Sequence, residues 1–153
     1  MHRIVDAQFN DLPVILSLQK LCYSENALRY NNDRITPMIQ TQKEIEKEFN
    51  SYLFLKVLNE ASIIGSIRAE EREGTCFIGR IFVHPNFQNQ GIGTSLMKTV
   101  EDRFSHLSRY ELFTGYKDDK NIYLYKKLGY TVYKEIRRND GIIFYFMEKK
   151  RLS

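Results

Sequence analysis

A chain of 153 residues with 42% apolar and 27% charged side chains has ordinary globular usage, which excludes disordered and fibrous classes. That length suits one domain over residues 1–153, long enough to bury most of its apolar surface. The net charge of +4 and pI near 9.0 suit a polyanionic ligand. The basic residues nevertheless fall in short clusters such as Lys126-Lys127, Arg137-Arg138 and Lys149-Lys150-Arg151, which read as solvated faces, so no nucleic-acid partner is inferred. Cys22 and Cys76 lack CxxC or Cys/His metal spacing and read as reduced thiols, with no metal implied. Met1 to Asp11 contains no apolar leader core, and no run of about 18 apolar residues occurs, so the expectation is a cytoplasmic chain without a membrane span.

In chain order, a short strand at Met1 to Val5 leads to a helix begun by Asn10 or Asp11, with Pro13 in its first turn and Leu12, Ile15, Leu16 and Leu18 near one face. That helix is expected to end near Cys22. Residues Tyr23 to Gln40 are irregular and polar, with Tyr23, Tyr30, Ile35 and Met38 interleaved, and read as a long loop or a broken helix covering something. Thr41-Gln42-Lys43-Glu44 forms a capping box that starts a second helix running to about Phe49. Strands are expected at Tyr52 to Leu58, Ala61 to Arg72 and, across the turn Glu73-Gly74, Thr75 to His84. Ile92, Leu96, Val100 and Phe104 recur every four residues and mark a helix beginning just after Gly91.

A strand at Tyr110 to Gly115 precedes a helix from about Asp119 to Leu128, closed by Gly129. Strands at Tyr130 to Arg138 and Ile142 to Met147 flank the turn signal Asn139-Asp140-Gly141. The order is βααβββαβαββ, an α/β (α+β) mixed, mostly antiparallel sheet with helices on both faces. Ile142, Phe144 and Phe146 give the last strand an apolar face that serves either a core or a homodimer contact.

Chemistry concentrates where a strand turns into a helix, at Gln88-Asn89-Gln90-Gly91-Ile92-Gly93-Thr94. The unpaired backbone N–H groups of a helix start, aligned with its dipole, bind anions, and Gly91 and Gly93 let the main chain approach a pyrophosphate closely. A Walker loop would need Lys-Ser or Lys-Thr where Thr94-Ser95 stands, and a Rossmann turn a third glycine where Leu96 stands. With Ile81-Phe82-Val83-His84-Pro85 before it, this turn resembles the GNAT superfamily of N-acetyltransferases. Gln88, Gly91 and Gly93 match that family's Gln/Arg-x-x-Gly-x-Gly/Ala signature. The later block Asn121-Ile122-Tyr123-Leu124-Tyr125-Lys126-Lys127-Leu128-Gly129-Tyr130 resembles the family's Tyr-x-x-Leu-Gly-Phe/Tyr ending.

The resemblance implies an N-acetyltransferase in which an amine attacks the thioester of acetyl-coenzyme A directly, with no covalent enzyme intermediate and no metal. Gln88, Asn89, Gln90, Gly91, Ile92, Gly93 and Thr94 are then the cofactor-phosphate residues. Main-chain groups of Ile81, Phe82 and Val83, on a splayed or bulged strand, pair with the pantetheine arm and the oxyanion. Tyr125 is the general acid for the leaving thiolate, and Asn121, one turn earlier, bonds the pantetheine or orients Tyr125.

Some relatives carry a glutamate on the strand before the turn, whereas no carboxylate lies between Thr75 and Val83, and Phe77 stands near that place. Glu70, Glu71 or Glu25, alone or through water, are the base candidates, with His84 a weaker one. Tyr23, Glu25 and Tyr30 are the candidate acceptor residues: acids to hold a cationic amine and aromatics to cover it. The acceptor is expected to be a small molecule, an amino acid or a peptide. The missing strand carboxylate also motivates a second reading, a non-catalytic acyl-coenzyme A binding module.

Overall fold

The computed structural model describes residues 2–151. Its elements are β1 (His2–Asp6), α1 (Leu12–Arg29), α2 (Thr36–Ile39), α3 (Gln42–Phe49), β2 (Leu53–Asn59), β3 (Ser62–Arg72), β4 (Thr75–Val83), α4 (Ile92–Arg103), β5 (Arg109–Gly115), α5 (Asp119–Lys127), β6 (Thr131–Arg137) and β7 (Ile143–Lys150). This is the expected order with one short helix added. Met1, where the first strand was expected to begin, lies outside the described residues.

The main departure is α1, which runs on to Arg29 instead of stopping near Cys22. No glycine or proline interrupts Tyr23 to Arg29, so polarity alone does not break the helix. Ala27 anchors this extra length, buried against Ile35 and Ile142. The helix ends where Asn31 takes φ of 50°, a left-handed conformation that asparagine tolerates. The capping box forms as expected: Glu44 N–H donates to Thr41 Oγ1 at 3.2 Å and Thr41 N–H to Glu44 Oε1 at 2.8 Å.

The strands form one seven-stranded sheet in the order β1-β2-β3-β4-β5-β7-β6. Every neighbouring pair is antiparallel except β4 and β5. The β3–β4 turn places Glu73 and Gly74 at φ of 48° and 81°, the two positive angles of a tight hairpin.

Helices cover both faces. On one, Leu96, Met97 and Val100 of α4 pack with Cys76, Ile78, Tyr110, Leu112 and Met147. On the other, Leu12, Ile15, Leu16 and Leu18 of α1 and Ile45 of α3 pack on Phe54 and Phe82. Ile142, read above as core or dimer face, is core, 5% exposed. The Leu128-Gly129-Tyr130 ending also has a structural reason. Gly129 takes φ of 100°, and the turn delivers the Tyr130 hydroxyl to donate at 2.8 Å to buried Glu101 of α4, which also accepts from Lys149.

Arg68 of β3 ties the second helical layer to the sheet. It is 1% exposed, donates to Glu48 of α3 at 2.7 Å, to Gln40 at 3.2 Å and to Gln19 of α1, and lies over the Phe54 ring at 4.6 Å. Burial lowers its pKa to about 10, which leaves it charged at neutral pH. Removing it takes the counter-charge from Glu48, which keeps only the Gln40 amide at 3.0 Å, and leaves Gln19 Oε1 without its donor. Arg68→Ala is therefore expected to lower unfolding stability by about 3 kcal/mol, the low end for a broken buried pair because Glu48 keeps some solvent. Urea denaturation of wild type and variant measures it.

Candidate active site

Hydrogen bonding between the parallel strands β4 and β5 is confined to the register Thr75↔Arg109, Cys76↔Tyr110 and Phe77↔Glu111, after which the strands diverge. The cause is on β4. Between Gly79 (opposite Arg68) and Phe82 (opposite Ser66), Arg80 and Ile81 face Ile67 alone, a β-bulge with Arg80 at φ of 49°. The extra residue bends the strand and shifts its alternation, so that Phe82 faces α1 as Phe77 and Gly79 do. A left-handed arginine is strained by about 1 kcal/mol, and such strain collects at sites.

Two cavities of about 340 Å³ each open along the divergence. They share Tyr23, Asn26, Ile81, Asp118 and Asn121 and so form one continuous groove. One half is lined by Gln88, Asn89, Gly91, Ile92, Gly93 and Thr94 at the start of α4. The other is lined by Tyr125, Tyr30, Phe77, Arg68, Arg80 and Phe144.

In the first half, Gly91 caps α4 at φ of 79° with open space where a Cβ would stand, so its requirement is conformational as well as one of access. Gly93 answers to packing: a Cβ there would lie 3.3 Å from Leu124 Cδ2 of α5. The Gln88 amide donates to the Val83 carbonyl at 3.0 Å and joins the turn to the end of β4. Gln90 is not on the groove wall; its side chain meets the His2 ring at 3.1 Å. His84 caps the following turn, its Nδ1 accepting from Asn86 N–H at 3.0 Å.

The floor is built by Ile81, Phe82 and Val83. The Phe82 side chain is 6% exposed and packs on α1. Tyr23 turns edge-on to Phe82 with ring centroids 6.2 Å apart, its hydroxyl 3.4 Å from the Ile81 carbonyl.

Tyr125 stands on the wall of the second half and is 4% exposed. Burial, with Tyr23 and Asp118 adding negative character, pushes its pKa far above the usual phenol value, so the hydroxyl stays protonated at physiological pH. Such a group can give a proton and cannot serve as a base. Asn121 lies one turn earlier on α5, where the two cavities meet.

Of the base candidates, neither Glu70 nor Glu71 is on the groove wall. Glu71 bonds His106 at 3.1 Å on the α4 side of the sheet. Glu70 pairs with Arg72 at 2.7 Å and lies near enough to Tyr52 to help raise its pKa, and it reaches the groove only through those two wall residues. Glu25 lines the phosphate half, 3.7 Å from Arg29, rather than the half where Tyr125 lies.

Asp118 is the residue that sequence reasoning missed. As an aspartate before a helix it reads as a cap, yet its carboxylate makes no cap bond. It accepts instead from Tyr30 Oη (3.0 Å), Asn26 Nδ2 (3.1 Å), Arg29 (3.2 Å), Thr114 Oγ1 (3.1 Å) and Gly115 N–H (3.2 Å). The cluster fixes Tyr30, whose hydroxyl lies so close to Gly115 that a Cβ there would overlap it. Arg29, Lys120 and Lys127 also line the half of the groove at the start of α4; Lys127 was read as part of a solvated cluster, and Arg29 and Lys120 carry no motif that would single them out.

Comparison with known proteins agrees with this geometry. Residues 22–151 match the model of the acetyltransferase (GNAT) domain, and the chain belongs to that family. Curated proteins give no sequence match. Among solved structures the fold is shared with the ribosomal-protein-S18-alanine N-acetyltransferase of Escherichia coli at 17% identity and a TM-score of 0.79, covering 100% of this chain and 96% of that one. It is shared too with the PaiA N-acetyltransferase of Thermoplasma acidophilum in complex with coenzyme A, at 17% identity and a TM-score of 0.72, covering 98% and 99%. A GNAT family acetyltransferase from Elizabethkingia anophelis with acetyl-coenzyme A bound aligns at 19% identity and a TM-score of 0.71, covering 97% of each chain.

Gly91→Glu adds a strained left-handed side chain and a carboxylate at the positive end of α4. It is expected to weaken acetyl-coenzyme A binding at least about tenfold by calorimetry. Equal affinity in both proteins would remove the phosphate-turn assignment.

Proposed function

We propose that the protein transfers an acetyl group from acetyl-coenzyme A to a primary amine by direct attack. The observation that carries this reading is the single groove joining the start of α4 to the buried hydroxyl of Tyr125 across the open edge of β4. In this reading the pyrophosphate sits on the N–H groups at Ile92, Gly93 and Thr94, with Arg29, Lys120 and Lys127 around it. The pantetheine arm lies along β4 and pairs with the main chain of residues 81–83 as an added strand would, with Asn121 bonding its amides. The thioester then lies near Tyr125, at the boundary between the two halves.

Holding the two reactants in this groove supplies orientation, and main-chain N–H groups of β4 meet the developing oxyanion. As the C–S bond breaks, Tyr125 gives its proton to the thiolate. The attacking ammonium must first lose a proton. Wall acids Glu48, Glu111 and Asp118 are each committed to an arginine, as Glu70 behind the wall is to Arg72, so we assign this step to water in the open groove.

That commitment of every wall carboxylate is also what favours the second reading, a module that binds the acyl-coenzyme A without turning it over. Thiol release on mixing with acetyl-coenzyme A and an amine panel separates the two. Acetylation of a ribosomal-protein alanine is named for the Escherichia coli neighbour; here a cavity of about 340 Å³ suits a small acceptor better. The free thiols Cys22 and Cys76 fit a reducing, cytoplasmic setting.

Tyr125→Phe is expected to lower kcat by about 10² or more while leaving acetyl-coenzyme A affinity unchanged. Because the phenol pKa is raised, Tyr125 remains a donor throughout the range below its ordinary value of about 10. The wild-type kcat profile should therefore show no fall below about pH 10 that disappears in the phenylalanine variant. An unchanged kcat in Tyr125→Phe would exclude the residue as the required acid.

A further inference from the structure

The acceptor half of the groove contains a cation that the rest of the protein does not balance. Arg80 lies on the cavity wall at the β4 bulge, its Nε buried without a hydrogen-bond partner, and it makes no ion pair among the described residues. The Nε of Arg68 also lacks a partner, but the other wall arginines are matched in charge: Arg68 with Glu48 at 2.7 Å, Arg72 with Glu70 at 2.7 Å and Arg138 with Asp140 at 3.2 Å. Arg68 is also close enough to Arg80 for the two charges to oppose one another. No wall acid is left to relieve this, since Glu111 is held by Arg109 at 2.8 Å and Asp118 by Arg29 at 3.2 Å.

A half-buried guanidinium on a cavity wall whose acids are all paired elsewhere lacks a counter-ion unless a ligand supplies one. The backbone is strained at the same residue. The left-handed bulge position, which glycine fills without strain, is held by arginine, while Gly79 stands one residue earlier in open space. Arg80 is also absent from the phosphate half of the groove, so the coenzyme phosphates are not its partner.

Resting on the acetyl-transfer reading above, we propose that the acceptor is a small amine that also carries a carboxylate, and that Arg80 binds that carboxylate. One unbalanced guanidinium matches one monoanionic carboxylate in its planar two-point geometry, whereas a dianionic phosphate would call for a second free cation. Phe77, Tyr23 and Phe144 line the same cavity and give the remainder of the molecule an apolar surround.

The test uses the full chain with saturating acetyl-coenzyme A and measures thiol release for free L-amino acids and for their carboxamides, with O-phosphoethanolamine as a third arm. At least one free amino acid should exceed its own carboxamide in kcat/KM by about tenfold or more, the loss expected when a charge-assisted pair is removed. In Arg80→Ala that ratio should fall toward one, and Arg80→Lys should restore part of it, with acetyl-coenzyme A affinity unchanged in both. The proposal is overturned if wild type prefers carboxamides or O-phosphoethanolamine, or if Arg80→Ala slows acid and amide alike, the mark of an oxyanion or folding role. If acetyl-coenzyme A binds but no acid is acetylated, the carboxylate inference falls alone; if acetyl-coenzyme A does not bind, the acetyl-transfer reading falls with it.

Discussion

Main-chain pairing between β4 and β5 stops after Phe77 and Glu111, and the rest of the site depends on that interruption. A parallel pair continued to Val83 and Gly115 would satisfy its own N–H and C=O groups and leave no groove. The bulge at Arg80 keeps β4 bonded to β3 while turning its other edge away from β5. The opening is held from behind by α4 and from the front by α1, so it is part of the packed fold rather than a loose edge. The polar edge that results is adjacent to the start of α4, because the same strand runs into that turn.

Charge is distributed along the groove in a consistent way. In the half at the start of α4, Lys120 and Lys127 stand beside the positive end of the helix, while Arg29 is paired with Asp118 and Glu25 on the same wall. In the other half every acid is neutralised by an arginine, and the buried Arg68 network joins α1, α3 and β3 beneath the cavity. Asp118 stands at the boundary and locks Asn26, Arg29 and Tyr30 of α1 to β5 and the start of α5. Stability and site geometry are therefore carried by the same ion pairs.

Most of the fold was legible because its signals are local. The Thr41 capping box, the Glu73-Gly74 hairpin, the four-residue repeat of α4 and the Gly91 turn each act within a few residues, and each forms. The end of α1 was not legible, since Ala27 is held by Ile35 and Ile142, the latter far off in sequence. The turn at Gly91 and the place of Tyr125 beside the groove could be read from motif, and a splayed or bulged β4 was expected from the same resemblance; that the bulge falls at Arg80 could not be, because nothing in Ile78-Gly79-Arg80-Ile81 signals a left-handed arginine. Asp118 was hidden for a related reason: its partners at positions 26 to 30 lie about 90 residues away, and an aspartate before a helix already has an ordinary explanation.

The claim that the open edge of β4 is the cofactor's binding strand is tested most directly by amide hydrogen exchange of the whole protein with and without coenzyme A. Slowed exchange at residues 79–83 together with 91–94, and no change across β1 and β2, is the predicted result. Protection confined to the α4 turn, with β4 exchanging as before, would contradict it.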